Sequence, residues 1–197
     1  MPLDVFISLL VIAASAAFTP GPNNALAASF AANHGVRAVL PHVFGVGVGF
    51  PVMIFTVGMF LGEIFQQSEA LRTTLRIVGA GVLLWMAWRT ATAGKAGEAD
   101  ARKPFTFWQS AGFQWVNPKG WTFAIAITAQ FVNPENPVQT ALICGLVFGF
   151  AGFSSITVWS MAGHSLMRFL NNDFRRTTFN WSMGALIALS VLLLFIE

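Results

Sequence analysis

Two short polar stretches interrupt the long apolar segments of this chain, and their side chains are suited to binding a small charged molecule. The candidate binding residues of the first stretch are Pro20, Gly21, Pro22, Asn23 and Asn24. Those of the second stretch are Gln114, Asn117, Pro118 and Lys119. The amide side chains donate and accept hydrogen bonds, and the lysine supplies a positive charge. The sequence shows no nucleophile–base pair, phosphate loop or carboxylate pair, so the pattern favours ligand binding over catalysis.

The prolines predict that each stretch is a break between two helices. Proline lacks an amide hydrogen and clashes with the preceding helical turn, but it is favoured at the first position of a helix. We therefore expect half-helices to begin at Pro22 and at Pro118, with Asn117 as an N-cap. Helix starts offer unpaired amides and a partial positive charge, which suit a carboxylate. The preceding half-helices end near Phe18 and Trp115 and offer carbonyl oxygens to an ammonium group, so a small zwitterion fits both.

Lys119 is an ionisable residue inside a predicted membrane segment. Such a side chain is costly in a bilayer and is a functional-site hypothesis by default. Lys119 would pair with the carboxylate of a substrate, or release a proton as the site empties. The alternative is a structural role, in which its long stem carries the ammonium group to the membrane surface.

The other ionisable residues are weaker candidates. His34 lies in a predicted turn, His42 near the start of the second apolar segment and His164 after the fifth. Histidine carries protons near neutral pH, and His34 joins Lys119 as a proton-coupling candidate. The alternative for each histidine is a polar residue at the membrane surface. The acidic residues near segment ends are expected to be solvated: Asp4, Glu63, Glu69 and Glu135.

The composition indicates a membrane protein with several spans. Hydrophobic residues make up 55% of the chain and charged residues 10%, well below the roughly 25% of soluble domains. The basic residues then mark cytoplasmic loops and not a nucleic-acid partner. Three histidines and one cysteine predict neither a metal site nor a cofactor, and Cys144 has no partner for a disulfide. Because the first residues lack a basic region, we expect the first apolar segment to be retained and not cleaved.

The apolar segments predict an all-α integral membrane fold with six transmembrane helices. A bilayer core about 30 Å thick needs about 20 apolar residues per helix. The predicted segments are 5–32, 39–61, 75–88, 107–132, 138–161 and 179–196. The first and fourth contain the breaks and are longer than a simple span.

The two halves of the chain resemble each other. We predict one transmembrane domain, 1–197, made of repeat one at 1–93, a solvated linker at 94–104 and repeat two at 105–197. Pro22-Asn23 corresponds to Pro118-Lys119, and 45–50 corresponds to 145–150. Because each repeat has three spans, the second is inverted relative to the first. Broken helices at matching positions of inverted repeats indicate a substrate site at the bilayer midplane.

The basic residues predict the orientation in the membrane. One side holds Arg37, Arg89, Lys95, Arg102, Lys103, Arg168, Arg175 and Arg176. The other side holds Arg72 and Arg76. Since loops rich in lysine and arginine stay in the cytoplasm, we expect both termini in the periplasm.

The sequence Phe18-Thr-Pro-Gly-Pro-Asn-Asn24, followed by His34-Gly35, resembles the signature of the lysine-exporter (LysE/RhtB) family of bacterial amino-acid efflux proteins. The length, the six segments and the break at Asn117-Pro118-Lys119 also match, so the resemblance covers essentially the whole chain. The stretches 103–108 and 161–165 are similar to the cysteine/O-acetylserine exporter branch of that family.

The resemblance implies a secondary exporter of amino acids or close derivatives in the bacterial inner membrane, driven by the proton gradient. Its partners would be a small amino acid, protons and the lipid bilayer, with no nucleic acid, and a homo-oligomer is left open. No acidic residue within the spans could pair with the basic side chain of a substrate, so we favour small neutral or sulfur-containing substrates. We also favour alternating access of the two repeats around a midplane site. The alternatives are export of basic amino acids or of another small solute or ion, and a membrane accessory protein that transports nothing.

Overall fold

The structure, a computed structural model, describes residues 1–61, 68–93, 103–167, 169–170 and 172–192 of the 197-residue chain. These residues form helices and connecting turns, with no strand among them. The α-helices are α1 (Leu3–Phe18), α2 (Pro22–His34), α3 (Val36–Thr56), α4 (Glu69–Ala91), α5 (Phe107–Phe113), α6 (Pro118–Phe131), α7 (Pro137–Met167) and α8 (Asp173–Leu192). A π-helical turn, Val57–Leu61, continues α3.

Several of these helices have the length and composition of membrane spans. Val36–Phe60, Glu69–Ala91 and Pro137–Leu166 each qualify, and α1 and α2 together qualify as one span bent by 51°. The break predicted in the first segment is therefore confirmed. Over the described residues, the second broken segment and α8 do not meet the same criterion. Six spans in two inverted repeats thus remain a prediction.

Some helices extend beyond the apolar segments that predicted them. α4 begins at Glu69, whereas the apolar segment begins at 75, because the Ser68 hydroxyl accepts a hydrogen bond from the Leu71 amide at 3.2 Å. α8 begins at Asp173 and not at 179, because Asn172 accepts a bond from the Arg175 amide at 2.8 Å. Polar caps thus start both helices before their apolar stretches begin. The predicted linker at 94–104 lies almost entirely outside the described residues.

Two long helices, α3 and α7, pack against each other at the centre of the fold. Their contact is close because Gly149 of α7 lies directly against Pro51 of α3. On another face of α3, a methyl group added to Gly49 would lie 2.6 Å from the Ala111 Cα of α5. Glycine therefore allows close helix contact at both places.

The broken helices pack around this central pair. α7 contacts α1, α2 and α6, and α3 contacts α2, α5 and α6. α4 packs mainly against α8. Large apolar side chains such as Trp108 and Phe150 remain exposed on the outside, as expected for a surface that faces lipid. This packing brings the two breaks together inside the protein.

Candidate functional site

The first break is held together by side chains that bind the end of α1. The Asn24 Nδ2 donates to the carbonyl oxygens of Ala17 at 2.8 Å and of Thr19 at 3.0 Å. The Ser155 hydroxyl of α7 also donates to the Ala17 carbonyl, at 2.7 Å. These carbonyl groups lie where the sequence predicts acceptors for an ammonium group, and protein side chains already bind both of them.

The second break has the predicted position but a different hydrogen-bond arrangement. α6 begins at Pro118, and Asn117 occupies the N-cap position without a side-chain capping bond. The Asn117 Oδ1 is buried and has no hydrogen-bond partner. The Trp115 carbonyl, another predicted acceptor, receives a bond from the Trp121 Nε1 at 2.8 Å. An unpaired buried acceptor therefore remains on the Asn117 side chain.

The two breaks contact each other through side chains about a hundred positions apart in the sequence. The Asn23 Nδ2 donates to the Gln114 Oε1 at 2.9 Å, and the Gln114 Nε2 donates back to the Asn23 Oδ1 at 3.4 Å. The Lys119 Nζ donates to the Thr19 carbonyl at 3.1 Å. A methyl group on Gly21 would lie 3.0 Å from this Nζ, so glycine leaves room for the lysine.

A cavity lies between the breaks and the central helices. Its polar lining side chains are Asn23, Asn24, Gln114, Asn117, Lys119 and Ser155. Three aromatic rings, those of Phe50, Phe123 and Phe148, form part of its apolar wall. The cavity has a volume of about 70 Å³, measured as the space open to the centres of water molecules. Since one water needs about 10–15 Å³ on this measure, the space suits a solute of several non-hydrogen atoms.

Backbone amides add to the positive character of this cavity. Neither N-cap residue, Gly21 or Asn117, makes a side-chain capping bond. Unpaired amides at a helix start favour an anion, and the residues of both first turns line the cavity. Within the described part of the chain, Lys119 is the one ionisable residue in the lining, and its Nζ lies 6.0 Å from the centre of the Phe123 ring. The arrangement suits a carboxylate with a small, largely apolar remainder.

Comparison with known proteins identifies the family of this chain. The sequence profile of the LysE type translocators matches residues 14–196. The chain belongs to the LysE family. It is therefore a multipass membrane transporter and not an enzyme.

Relatives within the LysE family include proteins named cysteine/O-acetylserine efflux protein. The one from Salmonella choleraesuis is 34% identical over 153 residues, which cover 77% of this chain and 78% of the relative. The one from Klebsiella pneumoniae is 29% identical over 196 residues, covering 99% of this chain and 97% of the relative. No solved structure matches the chain.

The cavity of this LysE-family transporter brings together most of the predicted binding residues. Those that line the cavity are Gly21, Pro22, Asn23, Asn24, Gln114, Asn117 and Lys119. Pro20 is exposed and lies outside the lining, while Pro118 is buried and packs against Gly79 of α4. His34 lies at the far end of α2, about 18 Å along the helix axis from Pro22. The proton-coupling role predicted for His34 therefore has no support from contact with the cavity.

Sequence reasoning did not place Ser155 in the cavity wall or His42 behind it. Ser155 lies in the middle of α7, and nothing in the local sequence connects it with the first break. His42 was expected near a membrane surface, but its side chain is fully buried in α3. Its Nδ1 lies 2.9 Å from the Ser110 Oγ and its Nε2 3.3 Å from the Asn23 carbonyl oxygen. The available signal was a histidine within an otherwise apolar run.

Proposed function

We propose that this LysE-family transporter exports small neutral or sulfur-containing amino acids or their close derivatives, such as cysteine and O-acetylserine, across the bacterial inner membrane in exchange for protons. The observation that carries the proposal is the cavity in which Lys119 meets two uncapped helix starts. The names of the relatives support the substrate class.

The proposed substrate pose follows from the charges and free hydrogen-bonding groups of the cavity. The substrate carboxylate binds Lys119 and the amides of the helix starts, because these groups are the positive ones in the lining. The substrate ammonium group binds the Asn117 Oδ1, which is buried without a partner. The side chain of the substrate then lies toward Phe50 and Phe148.

The same lining explains the preference for neutral side chains. Among the described residues, those that line the cavity include no aspartate or glutamate. A basic substrate would bring a second cation into a buried space that already contains the Lys119 ammonium group, without a counter-charge. Burying an unpaired charge is costly, so basic amino acids bind more weakly than neutral ones.

The transport cycle we propose is alternating access between two inverted repeats of three spans, with both termini in the periplasm. The packing supports this arrangement, because α1 contacts α7 and its counterpart α5 contacts α3, while α2 and its counterpart α6 each contact both central helices. In the proposed repeats α3 corresponds to α7 and α4 corresponds to α8, and the two members of each of these pairs pack against each other. When the repeats rock apart, the bond between Lys119 and the Thr19 carbonyl separates, since it joins one repeat to the other.

The first test is efflux from cells preloaded with a panel of amino acids. The panel contains cysteine, O-acetylserine, small neutral and basic amino acids, and wild type is compared with Lys119→Ala at matched membrane abundance. We expect faster efflux of cysteine, O-acetylserine or small neutral amino acids in wild type. Lys119→Ala should slow it about 10- to 150-fold, the equivalent of a charge-assisted hydrogen bond of about 1.5–3 kcal/mol. Lys103→Ala, at an exposed position, is the matched control and should behave as wild type.

Each other outcome changes the assignment in a defined way. If wild type exports only basic amino acids, the proposed substrate class is wrong. If it exports nothing in the panel, the amino-acid assignment fails. If Lys119→Ala lowers membrane abundance but leaves efflux per molecule unchanged, Lys119 has a structural role.

A further inference from the structure

A closed ring of hydrogen bonds lies behind the cavity and joins α3 to both breaks. His42 contacts the Ser110 hydroxyl and the Asn23 carbonyl oxygen. The Gln114 Nε2 donates to the Ser110 carbonyl at 2.8 Å, and Gln114 and Asn23 bind each other. His42 and Ser110 are fully buried, whereas Asn23 and Gln114 line the cavity. The ring thus connects a buried imidazole to the wall of the substrate site.

The partners of the imidazole determine which protonation states it can adopt. The Asn23 carbonyl oxygen can only accept, so the Nε2 of His42 carries a hydrogen and donates to it. The Ser110 hydroxyl has one hydrogen and two acceptors within reach, the His42 Nδ1 at 2.9 Å and the Thr106 carbonyl oxygen at 2.9 Å. In the neutral state Ser110 donates to the Nδ1.

Adding a proton to the Nδ1 requires only a rotation of the Ser110 hydroxyl. The protonated Nδ1 donates to the Ser110 oxygen, and the Ser110 hydrogen turns to the Thr106 carbonyl. Every polar group is then bonded in both states, and no heavy atom has to move. Buried polar groups left without partners are costly, so this arrangement removes one barrier to proton uptake and release.

We propose that His42 carries the coupled proton of the transport cycle, with Ser110 as its hydroxyl switch. This inference rests on the proposed function, because it requires proton-coupled export. One proton from water on the periplasmic side binds the Nδ1, and the same proton is released to water on the cytoplasmic side. His42 does not line the cavity, so it acts on the substrate through Asn23, whose carbonyl oxygen it binds and whose side chain faces the substrate space.

The surroundings of the ring are mostly apolar. Phe30 and Phe105 lie beside it, with ring centres at 6.0 and 6.1 Å. Besides His42, the ionisable groups on α3 and on the helices packed against it, in the described part of the chain, are His34, Arg37, Lys119, Cys144 and His164. Of these, Lys119 shares the cavity wall with Asn23. The two hydrogen-bond partners of His42 carry no charge, so protonation changes the net charge directly behind the substrate site.

The test separates exchange from proton-driven transport in liposomes that contain the purified full-length chain. Exchange of labelled for unlabelled cysteine needs no net proton movement, whereas accumulation against a gradient needs an imposed pH difference. We expect His42→Gln to retain exchange and to lose proton-driven accumulation, because glutamine cannot bind and release the coupled proton. His164→Gln, at an exposed position on α7, is the matched control and should retain both activities.

A second variant keeps the proposal falsifiable if His42→Gln does not fold. Ser110→Ala removes the hydroxyl switch and leaves the imidazole, so it should also weaken accumulation more than exchange and shift its dependence on pH. Wild-type accumulation in His42→Gln, or in Ser110→Ala when His42→Gln is absent from the membrane, overturns the role of His42. Absence of exchange in wild type for every amino acid tested contradicts the proposed function instead.

Discussion

The two helix breaks begin alike and are completed differently. In each, a proline takes the first helical position and the N-cap residue makes no capping bond. At the first break Asn24 binds the carbonyl groups of Ala17 and Thr19, so the end of α1 is satisfied by the protein itself. At the second break the Asn117 Oδ1 has no partner, and Lys119 extends across to the first break.

The helices that follow the breaks differ in the same direction. α2 is buried along most of its length, from Pro22 to Ala32, because α3, α7 and α8 surround it. α6 alternates between buried and exposed positions. The difference indicates that the first break is mainly structural, while the second break presents the groups that are available to a substrate. The same substitution at the two breaks should therefore affect different properties.

Asn24→Ala should have the largest effect, and the effect should be on stability. It removes a buried side chain that binds the carbonyl groups of Ala17 and Thr19, which should cost about 1–3 kcal/mol. The measurement is the melting temperature of the purified protein in detergent, with abundance in the membrane as a second readout. A melting temperature equal to that of wild type would show that the first break is not mainly structural.

Asn117→Ala should affect transport and leave stability unchanged. No hydrogen bond is lost on substitution, and an unpartnered buried oxygen is removed, so the melting temperature should equal or slightly exceed that of wild type. The KM for cysteine export should rise about tenfold, because the substrate ammonium group loses its acceptor. A fall in melting temperature as large as that of Asn24→Ala, with unchanged KM, would contradict the comparison.

Gly21→Ala should have the smallest effect and tests the contact between the breaks. The backbone at Gly21 is extended, with φ of −174°, so alanine fits the conformation. The added methyl group would lie 3.0 Å from the Lys119 Nζ and displace it. Export should fall about threefold, or about 0.7 kcal/mol, with no change in melting temperature.

Gly81→Ala on α4 is the matched control for this substitution, since a methyl group there meets no atom within 4 Å. Equal export rates for both glycine variants and wild type would show that Lys119 does not need its place against Gly21.

The breaks themselves were predictable because they follow local rules. The preference of proline for the first position of a helix depends only on neighbouring residues, and both half-helices begin where Pro22 and Pro118 indicate. The apolar cores of α3, α4 and α7 were predictable for the same reason. The ends of the helices were less predictable, because capping residues such as Ser68 lie outside the apolar stretches.

The contacts between the halves were not predictable from the sequence. Asn23 meets Gln114 across 91 positions, His42 meets Ser110 across 68 and Ser155 meets Asn24 across 131. No local pattern specifies which residue of one half faces which residue of the other. These pairs depend on the tertiary packing of the helices, above all that of α3 against α7. The same packing buries His42, a histidine of the second apolar segment.

In the proposed cycle, the hydrogen bond between Lys119 and the Thr19 carbonyl affects the substrate concentration at which export begins. The carboxylate of a substrate must displace the Thr19 carbonyl oxygen from the Lys119 ammonium group. This hydrogen bond therefore competes with substrate binding in the empty carrier. A competing bond of about 1.4 kcal/mol raises the concentration for half-maximal export about tenfold. Such a carrier exports little at ordinary amino-acid concentrations, and its export rate rises when the cytoplasmic concentration of the substrate rises.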